Sequence, residues 1–158
     1  MSTSDYLART RATALTVLTV AGVAAAHAPA ARAAAMAQAQ RAAKAVSIAL
    51  EQVGDPYRRG AAGPGAFDCS GLMRYAWGRA GVRLPRVASD QYRHLRKVSW
   101  RDLAPGDLIF LFRLGHVAMY VGRGRMVHAP GRGKPVRVDH VAQGWIKAAY
   151  NGAARPGV

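Results

Sequence analysis

The segment Phe67-Asp68-Cys69-Ser70-Gly71-Leu72 (FDCSGL) decides how this chain folds, because a loop and a helix meet within it. Residues 60–65, which are rich in glycine and proline, are typical of a loop, and the apolar pattern after the segment predicts a helix that ends at Gly81. Asp68 is expected at the helix N-cap, where a carboxylate accepts backbone N–H groups that have no partner within the helix. Cys69, the single cysteine of the chain, therefore lies at the start of a predicted helix.

The rest of the chain separates into helix-forming residues first and strand-forming residues afterwards. Residues 37–53 predict a helix that Gly54 ends, and residues 89–96 predict a shorter one. After Pro105-Gly106 the sequence changes to short β-prone runs separated by glycine-rich turns, at residues 107–112, 116–121, 125–129 and 136–138. This order predicts an α+β domain in which helices pack on one face of an antiparallel sheet.

Composition restricts the class of protein. The chain has 158 residues, of which 51% are hydrophobic and 20% charged, so it has enough apolar surface to fold as a single domain. One cysteine excludes an intramolecular disulfide and a cysteine-rich zinc finger. The formal charge of +15 would suit a nucleic-acid binder, but the basic residues are scattered and match no nucleic-acid-binding motif. An anionic cell-wall or membrane surface is the favoured use of this charge.

Residues 1–33 are expected to be an export signal. Arg9 and Arg11 precede an uncharged apolar run, and Ala31-Arg32-Ala33 supplies the small residues that a signal peptidase requires. The apolar run is shorter than the ~20 residues of a membrane-spanning helix, so a stable membrane anchor is not expected. Cleavage after Ala33 would leave residues 34–158 as the single mature domain, with a net charge of +13.

Cys69 is the candidate nucleophile. A helix amino terminus favours a thiolate, and cysteines in that position have pKa values lowered into the range of about 3.5–7.5. A nucleophilic thiol also needs a base and a group that orients the base, for which His116 and His128 are the candidates. His94 and His140 lie in polar, basic segments and are expected to face solvent.

A zinc site would be the alternative use of the same residues. Cys69, His116 and His128 are all capable zinc ligands, but no pair of them has a standard ligand spacing. We therefore expect neither a metal nor another cofactor.

Six motifs in order make this chain similar to the NlpC family of bacterial cell-wall cysteine endopeptidases. The resemblance extends over about residues 40–150. Its motifs are PY at 56–57, FDCSGL at 67–72, LPR at 84–86 with Gln91, LAPGDL at 103–108, HVAMYVG at 116–122 and MVHAP at 126–130.

The resemblance implies a papain-like fold and hydrolysis of peptidoglycan stem peptides, most often between D-glutamate and the diamino acid. Cys69 would be the nucleophile, His116 its general base and His128 the residue that orients the base. The enzyme would act in the bacterial cell wall as a secreted protein, and we expect a monomer that also contacts anionic wall polymers.

The resemblance further implies roles for residues around the thiol. Tyr57 would lie beside it and help position the scissile group, and the backbone N–H of Cys69 would help bind the oxyanion. Asp68 and Ser70 would shape the helix start and the pocket floor. The chain departs from the family pattern at residues 58–61, where Arg-Arg-Gly-Ala replaces an aromatic residue and two glycines, so the nearby pocket is expected to differ.

Other functions fit parts of the sequence. A wall amidase, or an acyl or peptidyl transferase, could use the same cysteine and histidines on this scaffold. A basic wall-binding module without activity would not need all three residues, and a nucleic-acid binder would not need an export signal.

The sequence positions of His116 and His128 predict the geometry of the connection between their strands. Their strands are consecutive, and side chains alternate between the faces of a sheet, so His116 and His128 share a face only if their connection has an odd residue count or contains a bulge. Gly122-Arg123-Gly124 can supply either. We predict a three-residue loop or a bulge there, with both imidazoles on the side of Cys69.

Overall fold

A computed structural model describes residues 21–141 and 144–158 of the chain. Residues 1–20 of the expected export signal lie outside this range. The chain divides into two compact units at the boundary between Ala33 and Ala34. In the first unit the described residues belong to helix α1 (Ala21–Glu51), which continues into the second unit. No helix among the described residues is long and apolar enough to span a membrane.

The ends of the helices lie within two residues of the predicted ones, except at the start of α1. Helix α1 ends at Glu51, two residues before the predicted end at residue 53, and it begins at Ala21 rather than at residue 37. The added turns are rich in alanine, the residue with the highest helix propensity. Helix α2 (Cys69–Arg79) begins at the predicted position, whereas α3 (Ala88–His94) is shorter than predicted because Arg96 belongs to a strand.

Six antiparallel strands form one sheet in the order β1-β6-β2-β3-β4-β5. The four predicted strands occur as the consecutive strands β2 (Leu108–Leu111), β3 (His116–Gly122), β4 (Arg125–His128) and β5 (Arg137–His140). The sequence patterns missed β1 (Arg96–Val98) and β6 (Tyr150–Arg155), which extend the sheet beyond β2. Helices with an antiparallel sheet make this the α+β fold that was predicted.

Both faces of the sheet are covered. On one face Leu108 and Phe110 of β2 pack with buried side chains of α1 and α2, including Trp77. On the other face Ile109 of β2 packs with Ile146 of the short helix α4 (Gly144–Ala149). The expectation of helices on one face alone is therefore wrong, because a fourth helix follows β5 and covers the second face.

A buried ion pair fastens β6 to the start of β2. The side chain of Asp107 is only 1% exposed, and its two oxygens accept hydrogen bonds of 2.7 Å each from Nε and Nη2 of Arg155. The backbone N–H of Ala104 donates a third hydrogen bond, of 2.8 Å, to Asp107 Oδ2. The carboxylate thus replaces its lost hydration with three donors from the chain.

Candidate active site

The carboxylate of Asp68 organises the start of α2. Its Oδ1 accepts a 2.7 Å hydrogen bond from the backbone N–H of Gly71, which makes it the N-cap as predicted, and its Oδ2 accepts one of 2.8 Å from Gly60. Both oxygens also accept hydrogen bonds from the guanidinium of Arg86, at 3.0 and 2.6 Å. Burial alone would raise the pKa of Asp68, but these hydrogen bonds lower it below its ordinary value.

Gly71 allows the loop before α2 to approach the helix. A Cβ at this position would lie 2.1 Å from the carbonyl oxygen of Ala61, closer than any side chain can be accommodated without moving the backbone. Ser70 is buried beside it, and its hydroxyl accepts a 3.1 Å hydrogen bond from Arg86. The loop, Arg86 and the first turn of α2 therefore hold Cys69 in place together.

The Cys69 thiol lies against strand β3. The backbone N–H of Val117, the residue that follows His116, is near enough to the thiol to act on its pKa. Burial raises the pKa of the thiol, and the nearby Asp68 carboxylate raises it further, although the N–H groups of Val117 and Ser70 oppose this rise. The expectation of a lowered thiol pKa is therefore wrong, because desolvation outweighs the helix terminus.

The hairpin between β3 and β4 contains a two-residue turn and a bulge. Arg123 and Gly124 form the turn with φ angles of 53° and 67°, and two consecutive positive φ angles are typical of a type I′ turn. The register shifts between Tyr120 and Gly122, so that one residue of β3 has no partner in β4. The predicted bulge is confirmed.

The bulge places His116 and His128 on the same face of the sheet. Nε2 of His116 lies 2.9 Å from Nδ1 of His128, within hydrogen-bond distance. Without the extra residue the two side chains would point to opposite faces. The predicted shared face is therefore confirmed, while the approach of these rings to the thiol sulfur stays a prediction.

The two histidines differ in surroundings. Burial, followed by the adjacent His128 ring, lowers the pKa of His116 to about 4. Burial also lowers the pKa of His128, which is 2% exposed, although Asp139 opposes the shift. Both imidazoles are consequently neutral at neutral pH. His94 and His140 are exposed, as predicted.

Asp139 is the site residue that the sequence analysis missed. Its Oδ2 lies 3.0 Å from Nε2 of His128 and accepts hydrogen bonds from Nε and Nη2 of Arg137 at 3.0 and 2.8 Å. In the pairing of β4 with β5, His128 lies opposite Arg137, so Asp139 is its diagonal neighbour on the same face. The available signal was an acidic residue directly after the predicted strand at residues 136–138, in a chain that has only 8 acidic residues.

Two open pockets share Lys134 as a lining residue. One, of about 380 Å³, is also lined by Phe112, His116 and His128. The other, of about 410 Å³, is also lined by Tyr57. Burial raises the pKa of Tyr57, and the neighbouring Cys69 and Asp68 raise it further. Within residues 21–141 and 144–158, no group of three or more acidic, histidine or cysteine side chains is arranged to hold a metal ion.

The sequence profile of the NlpC/P60 family matches residues 54–155, well over half of the chain, and this range contains Cys69, His116 and His128. The chain belongs to the NlpC/P60 family. The resemblance drawn from the six motifs is thereby confirmed.

Curated NlpC/P60 relatives are longer than the segment they share with this chain. A probable endopeptidase of Mycobacterium tuberculosis is 45% identical over 94 residues, which are 59% of this chain and 24% of the relative. The murein DD-endopeptidase MepH of Escherichia coli is 35% identical over 127 residues, 73% of this chain and 46% of MepH. The chain therefore spans between about a quarter and a half of these relatives.

Solved NlpC/P60 structures share the fold. The peptidoglycan hydrolase RipB of Mycobacterium tuberculosis superposes with a TM-score of 0.66 at 33% identity, over 75% of this chain and 65% of RipB. The P60 domain of an antigen from M. avium subspecies paratuberculosis gives a TM-score of 0.66 at 32% identity, over 75% of this chain and 95% of that domain. The arrangement of helices and sheet is thus that of the family.

Neutral His116 has a consequence for stability at acidic pH. Its pKa is about 4 in the fold but ordinarily 6.5, so the unfolded chain binds the proton more readily. The stabilisation is complete above pH 6.5 and declines as pH falls toward 4. Between about pH 7.5 and about pH 5, we expect the unfolding free energy of the wild type to fall by about 2 kcal/mol more than that of His116→Gln.

Urea unfolding at both pH values would measure this difference. His94→Gln, which replaces an exposed histidine of α3, is the matched control and should leave the pH dependence of the wild type unchanged. Equal slopes for wild type and His116→Gln would show that His116 is not held neutral by the fold.

Proposed function

We propose that this chain is a cysteine peptidase that hydrolyses stem peptides of peptidoglycan in the bacterial cell wall. The observation that carries the proposal is the hydrogen-bonded pair of His116 and His128, 2.9 Å apart. His116 is followed in β3 by Val117, whose backbone N–H acts on the pKa of the Cys69 thiol. The names of two relatives support the substrate, since MepH is named a murein DD-endopeptidase and RipB a peptidoglycan hydrolase.

The first half of the reaction would form a thioester. Neutral His116 accepts the proton of the Cys69 thiol as the substrate approaches, and the sulfur attacks the carbonyl carbon of the scissile amide. The carbonyl π electrons move to its oxygen, where the backbone N–H of Cys69 stabilises the negative charge. When this intermediate collapses, the C–N bond breaks and the leaving amine takes the proton from His116.

The second half would release the acyl group. His116, again neutral, accepts a proton from a water molecule that attacks the thioester carbonyl. The C–S bond breaks, the carboxylic acid product leaves, and the sulfur regains a proton from His116. His128 keeps the ring of His116 oriented through both halves, as the third member of a triad does.

The remaining predicted residues would shape the pocket. Asp68 and Ser70 are hydrogen-bonded to Arg86, and Asp68 also binds the loop at Gly60 and the first turn of α2 at Gly71. We therefore assign Asp68 and Ser70 to holding the nucleophile rather than to proton transfer. Tyr57 lines the neighbouring pocket, and the nearby Cys69 contributes to its raised pKa, which supports a role in positioning the scissile group.

Residues 1–33 would export the protein, and residues 34–158 would act as one domain, monomeric in the cell wall. The mature charge of +13 would hold it on anionic wall polymers. Salt screens exposed charges beyond about 8 Å at physiological ionic strength, so high salt should release the protein from intact sacculi.

Two bonds are candidates for cleavage. The resemblance to the NlpC family favours the bond between D-glutamate and the diamino acid, whereas the name of MepH points to a D,D bond in the crosslink between stem peptides. The two bonds give products of different mass.

Mass spectrometry of muropeptides digested with the purified full chain tests the proposal. Disaccharide dipeptides would identify cleavage after D-glutamate, and conversion of crosslinked dimers to monomers would identify D,D cleavage. Disaccharides without a peptide, together with intact free stem peptides, would instead establish the wall amidase, and extended peptides the transferase. Undigested muropeptides, together with binding to sacculi that salt reverses, would leave only the non-catalytic wall-binding module.

A further inference from the structure

Three side chains from three consecutive strands form a continuous chain of short polar contacts. His116 of β3 lies 2.9 Å from His128 of β4, and His128 lies 3.0 Å from Asp139 of β5. The two contacts use opposite nitrogens of the His128 ring, Nδ1 toward His116 and Nε2 toward Asp139. The protonation of one contact therefore fixes the protonation of the other, because a neutral imidazole carries one proton.

Asp139 is ionised and can only accept. Its side chain is 17% exposed, and burial alone would raise its pKa. The hydrogen bonds from His128 and Arg137 lower the pKa of Asp139 below its ordinary value instead. A carboxylate has no proton to donate, so the proton in its contact with His128 lies on Nε2 of the imidazole.

The protonation of both rings follows in two steps. His128 is neutral and donates from Nε2, so its Nδ1 has a lone pair and accepts from Nε2 of His116. His116 is also neutral, so its single proton lies on Nε2 and its Nδ1 is unprotonated. The nitrogen of His116 that is not engaged by His128 is thus the one able to accept a proton.

We propose that Asp139 is a positioning residue that selects the tautomers of both histidines and thereby leaves Nδ1 of His116 free to take the thiol proton. The effect on catalysis rests on the proposed cysteine-peptidase function, whereas the assignment of the tautomers is independent of that function. Arg137 and Lys134 are the cations that face His128, and Asp139 is the acidic group that opposes them there.

Without Asp139 the opposite arrangement becomes available. His128 could donate from Nδ1 to Nε2 of His116, which would move the proton of His116 to Nδ1 and leave no base toward the thiol. The distance between the two histidine rings does not distinguish the two arrangements, because both keep the 2.9 Å hydrogen bond.

Long-range ¹H–¹⁵N correlation spectra of the labelled full chain report the tautomer of each imidazole directly. In the wild type we expect the Nε2–H form for both His116 and His128. Asp139→Leu removes the acceptor, and the ratio of the Nδ1–H to the Nε2–H form of His128 should rise about tenfold or more, the equivalent of one charged hydrogen bond. Asp139→Asn, which keeps the volume of the side chain, should give a mixture and provides the measurement if Asp139→Leu does not fold.

Kinetics with muropeptide substrates supply the second readout. We expect Asp139→Leu to lower kcat by about tenfold to a hundredfold with KM unchanged, and Asp139→Glu, which retains a carboxylate, to recover part of the loss. Asp90→Asn is the matched control, because Asp90 is also paired with an arginine but lies on α3.

The outcomes separate the tautomer proposal from the function. A wild-type His116 protonated on Nδ1, or unchanged tautomers in folded Asp139→Leu, would overturn the role of Asp139. Tautomers that shift as expected in a chain without hydrolytic activity would support that role and contradict the peptidase function instead.

Discussion

Replacement of Cys69 by serine is expected to lower kcat for stem-peptide hydrolysis by about four orders of magnitude or more, the usual effect of removing a nucleophile from a catalytic group. The pKa of His116 is about 4, so this imidazole is a weak base. A thiol whose pKa is raised by burial can still transfer its proton to His116 during attack, whereas a serine hydroxyl is far less acidic. The loss of kcat on replacing sulfur by oxygen is therefore expected to be larger here than beside a stronger base.

The variant should fold, because it changes one atom at the start of α2. Rates are measured on purified muropeptides, and circular dichroism compares the folds. Since the chain has 1 cysteine, alkylation provides an internal control: one equivalent of a thiol reagent should abolish wild-type activity, and substrate should slow the labelling. A serine variant as active as the wild type would rule out the cysteine mechanism.

Replacement of Arg155 by methionine is expected to lower the free energy of unfolding by about 3–5 kcal/mol, the cost of leaving a buried charge without its partner. The side chain of Asp107 is 1% exposed, and of the three hydrogen bonds to its carboxylate described above only the one from Ala104 would remain. The loss should be large for a domain of this size, because total stabilities are about 5–15 kcal/mol. The effect should appear as a lower urea midpoint.

Two further variants test the cause. Arg93→Met removes an arginine whose partner, Asp90, lies on the surface, and should cost no more than about 1 kcal/mol. Adding Asp107→Leu to Arg155→Met removes the unpaired charge and should restore much of the stability. If Arg155→Met and Arg93→Met unfold at the same midpoint, the buried pair does not fasten β6.

Local signals in the sequence were sufficient for the centre of the fold. The cap at Asp68 and the glycine-rich loop before it predicted that α2 starts at Cys69 or Ser70, and it starts at Cys69. The β-prone runs predicted the four consecutive strands from β2 to β5, and the parity of His116 and His128 predicted the bulge in their hairpin. Each of these features depends on residues close together in the sequence.

Features that depend on distant partners were not predicted. Strand β6 contains Asn151 and Gly152, which have low strand propensity. Its pairing with β1 and β2 and the ion pair between Arg155 and Asp107 stabilise it as a strand. The raised pKa of the Cys69 thiol was not predicted for a related reason. Burial of the thiol is a property of the packed molecule and not of the helix terminus.

The bulge in the β3–β4 hairpin also limits which insertions and deletions this hairpin can accept. Exposed hairpin tips commonly tolerate insertions and deletions, and Arg123 at this tip is exposed. Gain or loss of one codon within residues 121–124 would turn His128 to the opposite face and separate it from His116, although no residue of the histidine pair itself had been altered. The length of the tip can therefore change without loss of the pair only by an even number of residues.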